Sequence, residues 1–220
     1  GLANTEGLLH WYKTEFEGEG VVLRSNIDLT SYAPPSKLNL QPKAPYKVFF
    51  YARPNEPRNA FEIGVASLTE LKKRLGKNLE VYAAGAEWDP LDYGLEDTVM
   101  NLGKISYAKL PDFYRSMDAG MMLMFSGHPG VVASELMASG TPVVVNTYED
   151  MTWHELYQDG VTAIVSKVTA DAIADNFERI LKNSEVREKV IKAGLEKVDD
   201  FYGHYDEAFE STTTSIKSRR

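Results

Sequence analysis

Apolar and polar positions along the chain switch repeatedly between two periods. Lys47 to Ala52 (KVFFYA), Leu79 to Ala84 (LEVYAA), Ala119 to Phe125 (AGMMLMF), Pro142 to Asn146 (PVVVN) and Thr162 to Ser166 are short, nearly continuous apolar runs. Such runs predict strands buried on both faces. Val99 to Gly103 (VMNLG) predicts a weaker strand. Between the runs the spacing lengthens to the helical period. Arg58 to Leu75 places Phe61, Val65, Leu68, Leu71 and Leu75 on one stripe. Ala108 to Met117, Gly130 to Ser139, Ala170 to Lys182 and Glu185 to Phe201 also read as helices, with a last one from His204 to Thr213. Gly140 stands where the Gly130 to Ser139 helix must stop, as a C′ residue. Strands alternating with helices predict an α/β domain with a doubly wound, Rossmann-like parallel sheet.

Upstream the pattern differs. Glu6 to Phe16 (EGLLHWYKTEF) predicts a helix, Glu17-Gly18-Glu19-Gly20 a break, and Val21 to Leu23 a short strand. Pro34 to Pro45 holds four prolines in twelve residues. That stretch reads as a semi-extended linker. The expected organisation is a flanking segment over 1–20, a linker over 21–45, the Rossmann-like domain over 46–201 and a terminal helix over 202–220.

Composition narrows the function classes. With 220 residues, 43% of them hydrophobic, the chain is a globular protein of one large domain or one and a half. It has no cysteine, which removes disulfide scaffolds, Cys-based metal sites and a thiol nucleophile. A net charge of −8 argues against a nucleic-acid binder working through a broad basic face. No run reaches the roughly 18 apolar residues that suggest a membrane span. The N-terminus carries neither a basic region nor an apolar signal core, and it lacks an initiator Met. A fragment of something longer is expected.

In doubly wound sheets the ligand sits beyond the carboxyl ends of the strands, so the loops there carry the candidate chemistry. After KVFFYA come Arg53 and Arg58. Their guanidinium forks suit a diphosphate, and solvated arginines flanking a Pro-set turn are the plain alternative. After AGMMLMF comes Ser126-Gly127-His128-Pro129-Gly130. Its glycines let backbone approach a ligand, and the start of the following helix offers N–H groups to an anion. No Walker A loop and no GxGxxG motif is present. Glu135, inside a closely packed helix, leans toward the ligand end and could accept two hydroxyl hydrogen bonds, as a pentose requires. A solvated surface Glu is its alternative. Glu149, Asp150, Trp153, His154 and Glu155 do not have the spacing of a metal motif.

These pieces, in this order, resemble the C-terminal, nucleotide-sugar-binding half of GT-B glycosyltransferases of the family-4 type. Ser25 to Pro34 (SNIDLTSYAP) is similar to the family's "pNgvD…f.P" run. Arg53 followed by Arg58 is similar to its "GR…K" diphosphate pair, with Arg in place of Lys. Asn101 to Lys104, Leu110 to Tyr114 and Asp118 to Gly120 match "flG.v…l..lY..adv". Glu135 to Val145 (ELMASGTPVVV) matches "EAmA.G.PVV", the most specific block, and Glu155 to Gly160 matches "e.v.dG". The resemblance covers roughly two thirds of the chain.

The resemblance implies a donor site. Arg53 and Arg58 would hold the diphosphate, with backbone N–H groups near Gly130 and Val131. Glu135 would take the ribose hydroxyls, and Lys104 to Leu110, with Ile105, would flank the base. Ser126, Gly127, His128 and Pro129 would face the donor sugar. Arg53, Arg58 and His128 would be the catalytic groups. No metal or cofactor is expected. One departure stands out. The family's sugar-contacting Glu, eight residues before Glu135, is Gly127 here. The HPG loop is nearer to bacterial rhamnosyltransferases that build surface polysaccharides, so an activated rhamnose such as dTDP-rhamnose is the expected donor.

The partners implied are a nucleotide-sugar, a saccharide or lipid-linked acceptor and a missing N-terminal domain. That domain would carry the acceptor site and any membrane contact, and the site would be cytoplasmic. Trp11, Tyr12, Phe201, Tyr205 and Phe209 are expected to form part of the docking surface for it. Two readings compete. One is a non-catalytic nucleotide-sugar-binding module. The other is a sugar-nucleotide epimerase of the same architecture.

Overall fold

The computed structural model describes residues 1–127, 130–147, 154–203, 205, 209 and 210. Its centre is a six-stranded parallel sheet of β3 (Tyr46–Ala52), β4 (Leu79–Gly85), β5 (Val99–Asn101), β6 (Ala119–Met122), β7 (Val143–Asn146) and β8 (Ile164–Ser166). The strands lie in the order β5-β4-β3-β6-β7-β8. The chain thus winds outward from β3 to one edge, returns to β3's other side, and winds to the opposite edge. The reversal leaves a crevice between the carboxyl ends of β3 and β6. β3 is matched to β4 from Tyr46↔Leu79 to Ala52↔Gly85 and to β6 from Val48↔Ala119 to Phe50↔Met121.

The two faces of β3 feed two cores. Val48, Phe50 and Ala52 point to one side, with Leu68 and Leu71 of α2 (Phe61–Leu75) and Ile173, Phe177 and Ile180 of α5 (Ala170–Lys182). Phe49 points to the other, with Tyr114 of α3 (Leu110–Arg115), Leu136 and Met137 of α4 (Val132–Ala138) and Val198 of α6 (Ser184–Tyr202). This is why the strands read as continuous apolar runs rather than alternating ones. Local signals set the helix ends. Thr169 and Asn183 accept from the first-turn N–H groups of α5 and α6. Gly140 ends α4 with φ 73°.

Helices and strands are shorter than the apolar pattern suggests at the ligand end. A 3-10 turn, Pro57–Asn59, precedes α2, so Arg58 stands ahead of the helix rather than in it. β6 stops at Met122, although the apolar run continues to Phe125. α4 begins at Val132, not at Gly130.

At the N-terminus, β1 (Leu2–Ala3), α1 (Glu6–Phe16) and β2 (Val21–Val22) form a small parallel βαβ unit. Val21 and Val22, expected at the start of the linker, pair with Leu2 and Ala3. The rest of the expected linker, with its Pro-rich stretch, is a strap bound to the domain. Ile27 and Tyr32 enter the second core, and Arg115 donates to Ser31 O at 3.0 Å and Ala33 O at 2.9 Å. Phe201, expected on a docking surface, is buried beneath the Arg24 guanidinium, 4.3 Å from the ring centroid. The helix expected from His204 lies almost wholly outside the described residues. No described helix is long and apolar enough to cross a membrane.

Candidate functional site

Two adjoining cavities open at the crevice and share the wall formed by Tyr51, Arg53, Val131 and Val132. The first, of about 300 Å³, is bounded by Arg53, Arg58, Asn59, Met124, Ser126 and Gly130. The second, of about 390 Å³, is bounded largely by apolar groups: Ala84, Gly85, Ile105, Leu110 and the two valines, with Lys104, Tyr107 and Glu135 at its polar side. The structure therefore brings the proposed diphosphate residues into one cavity and the proposed base and pentose residues into its neighbour. Gly127 is half-buried in the loop between β6 and α4. His128 and Pro129 lie outside the described residues, as do Glu149, Asp150 and Trp153.

The two arginines are held by one carboxylate. Glu56 accepts from Arg53 at 3.1 Å and lies 3.8 Å from Arg58 Nε. Arg53 also donates to the Tyr51 hydroxyl at 3.5 Å. A carboxylate bridging two guanidiniums marks a place where an anion is stable, and both arginines are part-exposed to meet one. Glu56 was not singled out from sequence, although it lies between the two arginines in the chain.

Glu135 is 4% exposed, so it is not a surface carboxylate. Its place in the first turn of α4, with the backbone N–H bonded to Val131 O at 2.8 Å, turns the side chain back toward the cavities. Tyr114 Oη lies 3.5 Å from Oε2. Burial raises the Glu135 pKa, and the phenols of Tyr32, Tyr114 and Tyr107 pull it the other way. The same charge raises the phenols. It is the leading cause for Tyr107 and the second, after burial, for Tyr32 and Tyr114.

A group whose folded pKa is raised stabilises the fold below its unfolded pKa and loses that contribution as pH rises through the folded value. Glu135→Gln should therefore be more stable relative to the parent at pH 7 than at pH 4, by urea denaturation at the two pH values. An equal difference at both would show that the charge is not the cost.

Residues that local patterns do not reveal hold the loop after β6. Asn146, fully buried at the end of β7, accepts from Met124 N at 2.6 Å and donates to Met124 O at 3.0 Å. Its amide replaces the backbone pairing that β6 no longer makes. Phe125 N then donates to Arg58 O at 2.6 Å, which ties this loop to the diphosphate arginine. Gly130, at φ 70°, turns the chain beside Met124, and a Cβ there would lie 3.2 Å from Met124 Cε. An Asn ending an apolar strand run was the available signal.

Comparison with known proteins fits this geometry. The chain is 34% identical over 198 residues to the O-antigen biosynthesis protein RfbC of Myxococcus xanthus, which covers 90% of this chain but 15% of that protein. Among solved structures, sucrose-phosphate synthase of Thermosynechococcus elongatus superposes with TM-score 0.78 at 17% identity, over 98% of this chain and 57% of that one. Anabaena HepE, in complex with UDP and glucose, superposes with TM-score 0.77 at 16% identity, over 99% and 62%. The chain thus spans less than two thirds of each of these proteins. Its fold is that of the C-terminal, Rossmann-like half of a GT-B glycosyltransferase. The WsaF C-terminal domain family matches residues 46–178, more than half of the sequence, and the chain belongs to that family.

Proposed function

We propose that this chain is the donor-binding half of a glycosyltransferase that moves a sugar from a nucleoside diphosphate onto a growing surface polysaccharide. The observation that carries the reading is the pairing of two cavities across one wall. One is lined by Arg53 and Arg58, and the other by apolar groups with a buried carboxylate, Glu135. A diphosphate fits the first, and a base with its pentose fits the second. The similarity to an O-antigen biosynthesis protein supports the polysaccharide, and the UDP-bound neighbour of like fold supports the nucleotide.

In the transfer, the bond from the sugar's anomeric carbon to the diphosphate oxygen breaks, and negative charge grows on the departing diphosphate. Arg53 and Arg58 stand fixed where that charge appears. Fixed donors stabilise a transition state because no solvent need reorganise around them. A dTDP-activated deoxyhexose such as rhamnose is the proposed donor, because Gly127 leaves one carboxylate fewer for sugar hydroxyls. The proposed partner is the N-terminal domain, which supplies the acceptor side.

Isothermal titration of the chain with dTDP, UDP and GDP tests the reading. One nucleotide is expected to bind at least tenfold tighter than the others. Equal affinity for all three would refute a base-specific donor site. Full-length protein that releases no nucleoside diphosphate from any of the activated sugars would refute the transferase and favour the binding module.

A further inference from the structure

A third cavity, of about 340 Å³, lies on the strap side of Glu135. Its floor is Glu135, and its walls are the strap residues Asn26 to Tyr32 and the segment from Tyr107 to Arg115. Most of its polar groups are engaged within the wall. The Asp28 carboxylate accepts from Thr30 N, Ser31 N and Ser31 Oγ at 2.6–3.1 Å. Arg115 donates to Ser31 O, Ala33 O and Asp112. The buried Tyr32 hydroxyl is not so engaged. Tyr32 is 3% exposed, and its hydroxyl is buried without a hydrogen-bond partner. Burying a hydroxyl unpaired is costly, and a chain with Phe in that place would avoid the cost.

The orphan sits beside a carboxylate that is also under-satisfied. Glu135 receives one long bond, from Tyr114 at 3.5 Å, and the phenols of Tyr32 and Tyr107 also favour its charge. A carboxylate can accept about four. The Tyr32 hydroxyl makes no well-formed hydrogen bond, yet it lines the same cavity as Glu135 and feels that carboxylate both as a charge and as a hydrogen-bonding neighbour. A group placed between them, able both to donate and to accept, would satisfy the two at once. A sugar hydroxyl has that capacity, and neither a phosphate oxygen nor an apolar group does.

We propose that Tyr32 is a second contact for the pentose of the bound nucleotide. One pentose hydroxyl donates to Glu135 and accepts from Tyr32 Oη. The proposal rests on the donor reading above and adds a residue from outside the Rossmann-like sheet. Tyr32 belongs to the strap between the N-terminal βαβ unit and β3. Donor occupancy would therefore be felt by the strap as well as by the pocket.

Tyr32→Phe removes one oxygen and keeps the ring that stacks on Tyr114 at 6.1 Å. The variant and the parent are titrated with UDP and dTDP, and with pyrophosphate by competition, since pyrophosphate has no pentose. Tyr32→Phe is expected to weaken the tighter-binding nucleotide threefold to tenfold, the range of one neutral hydrogen bond. Pyrophosphate binding should stay within twofold, and the melting temperature should hold or rise. Nucleotide should also slow amide exchange over residues 27–33 in the parent and not in the variant.

Nucleotide affinity unchanged in Tyr32→Phe, while Glu135→Gln weakens it, would overturn the proposal and leave the donor site standing. An equal loss for pyrophosphate would overturn it too, as a general structural effect. If neither substitution touches nucleotide binding, the donor reading itself fails.

Discussion

Arg53→Ala is expected to lower the transferase kcat/KM of the full-length enzyme by about a hundredfold to a thousandfold, the usual cost of removing one fixed donor from a developing anion. The geometry says why this arginine should matter more than Arg58. Arg53 belongs to the wall that both cavities share, whereas Arg58 lines the diphosphate side alone. Arg58 is also the more exposed, at 57% of its side chain against 34%. Solvent screens its charge more, and Arg58→Ala should cost about tenfold.

Arg53→Lys tests the fork. An ammonium keeps the charge but gives up the bidentate match to phosphate oxygens, so rescue should be partial. Folding is not the issue, because the arginine's side-chain partners are Tyr51, in the shared wall, and the part-exposed Glu56. Steady-state kinetics with UDP titration beside it reads the effect. An Arg53→Ala enzyme within threefold of the parent would remove the diphosphate assignment.

How much of this was readable from sequence depends on which physical signal each part leaves. The sheet was legible because strands buried on both faces must be apolar throughout, and helices between them must carry a stripe. The α5 and α6 boundaries lie within one residue of those expected from the apolar stripe, and in the structure Thr169 and Asn183 cap them. Arg53, Arg58 and Glu135 were legible as charged residues at strand ends or inside a packed helix. The ends of β6 and α4 were not. An apolar run to Phe125 says that these residues are buried, not that they pair, and here the Asn146 amide takes the place of a strand partner.

The tyrosines around Glu135 come from the strap, from the turn before α3 and from α3 itself. No local spacing links Tyr32 with Tyr107 and Tyr114. The strap was misread for a related reason. Prolines rightly signal the absence of regular structure, but they carry no information on whether the irregular segment is docked. Ile27 and Tyr32 were the clue, as large apolar bodies in a stretch that a free linker would fill with polar residues.

Arg187 carries the other large effect, and it shows what binds the strap. On α6 it is 1% exposed, at a position that continues the buried stripe of Val190, Ile191 and Gly194. Its Nε donates to Asn39 O of the strap and its Nη1 to Asp118 O at the start of β6, both at 2.6 Å. Burial lowers its pKa to about 10, and the charge of Asp118 works against that. The Asp118 carboxylate in turn accepts from Asn39 Nδ2 and Lys47 N, both at 2.8 Å. One guanidinium thus joins the strap, the sheet and the last helix.

Arg187→Ala would strand two carbonyl oxygens and remove a positive charge that favours the Asp118 carboxylate, besides opening a cavity. Two buried hydrogen bonds from a charged donor are worth about 3–5 kcal/mol together, and a loss of that order is expected in urea denaturation of the chain. Arg187→Met combined with Asp118→Asn should lose less, because volume is kept and no carboxylate charge remains, although the two carbonyls stay unpaired. If the single and the double variant lose the same amount, the two hydrogen bonds to Asn39 O and Asp118 O, rather than volume or charge, hold the strap. If Arg187→Ala loses less than about 1 kcal/mol, the strap is anchored by Ile27 and Tyr32 alone.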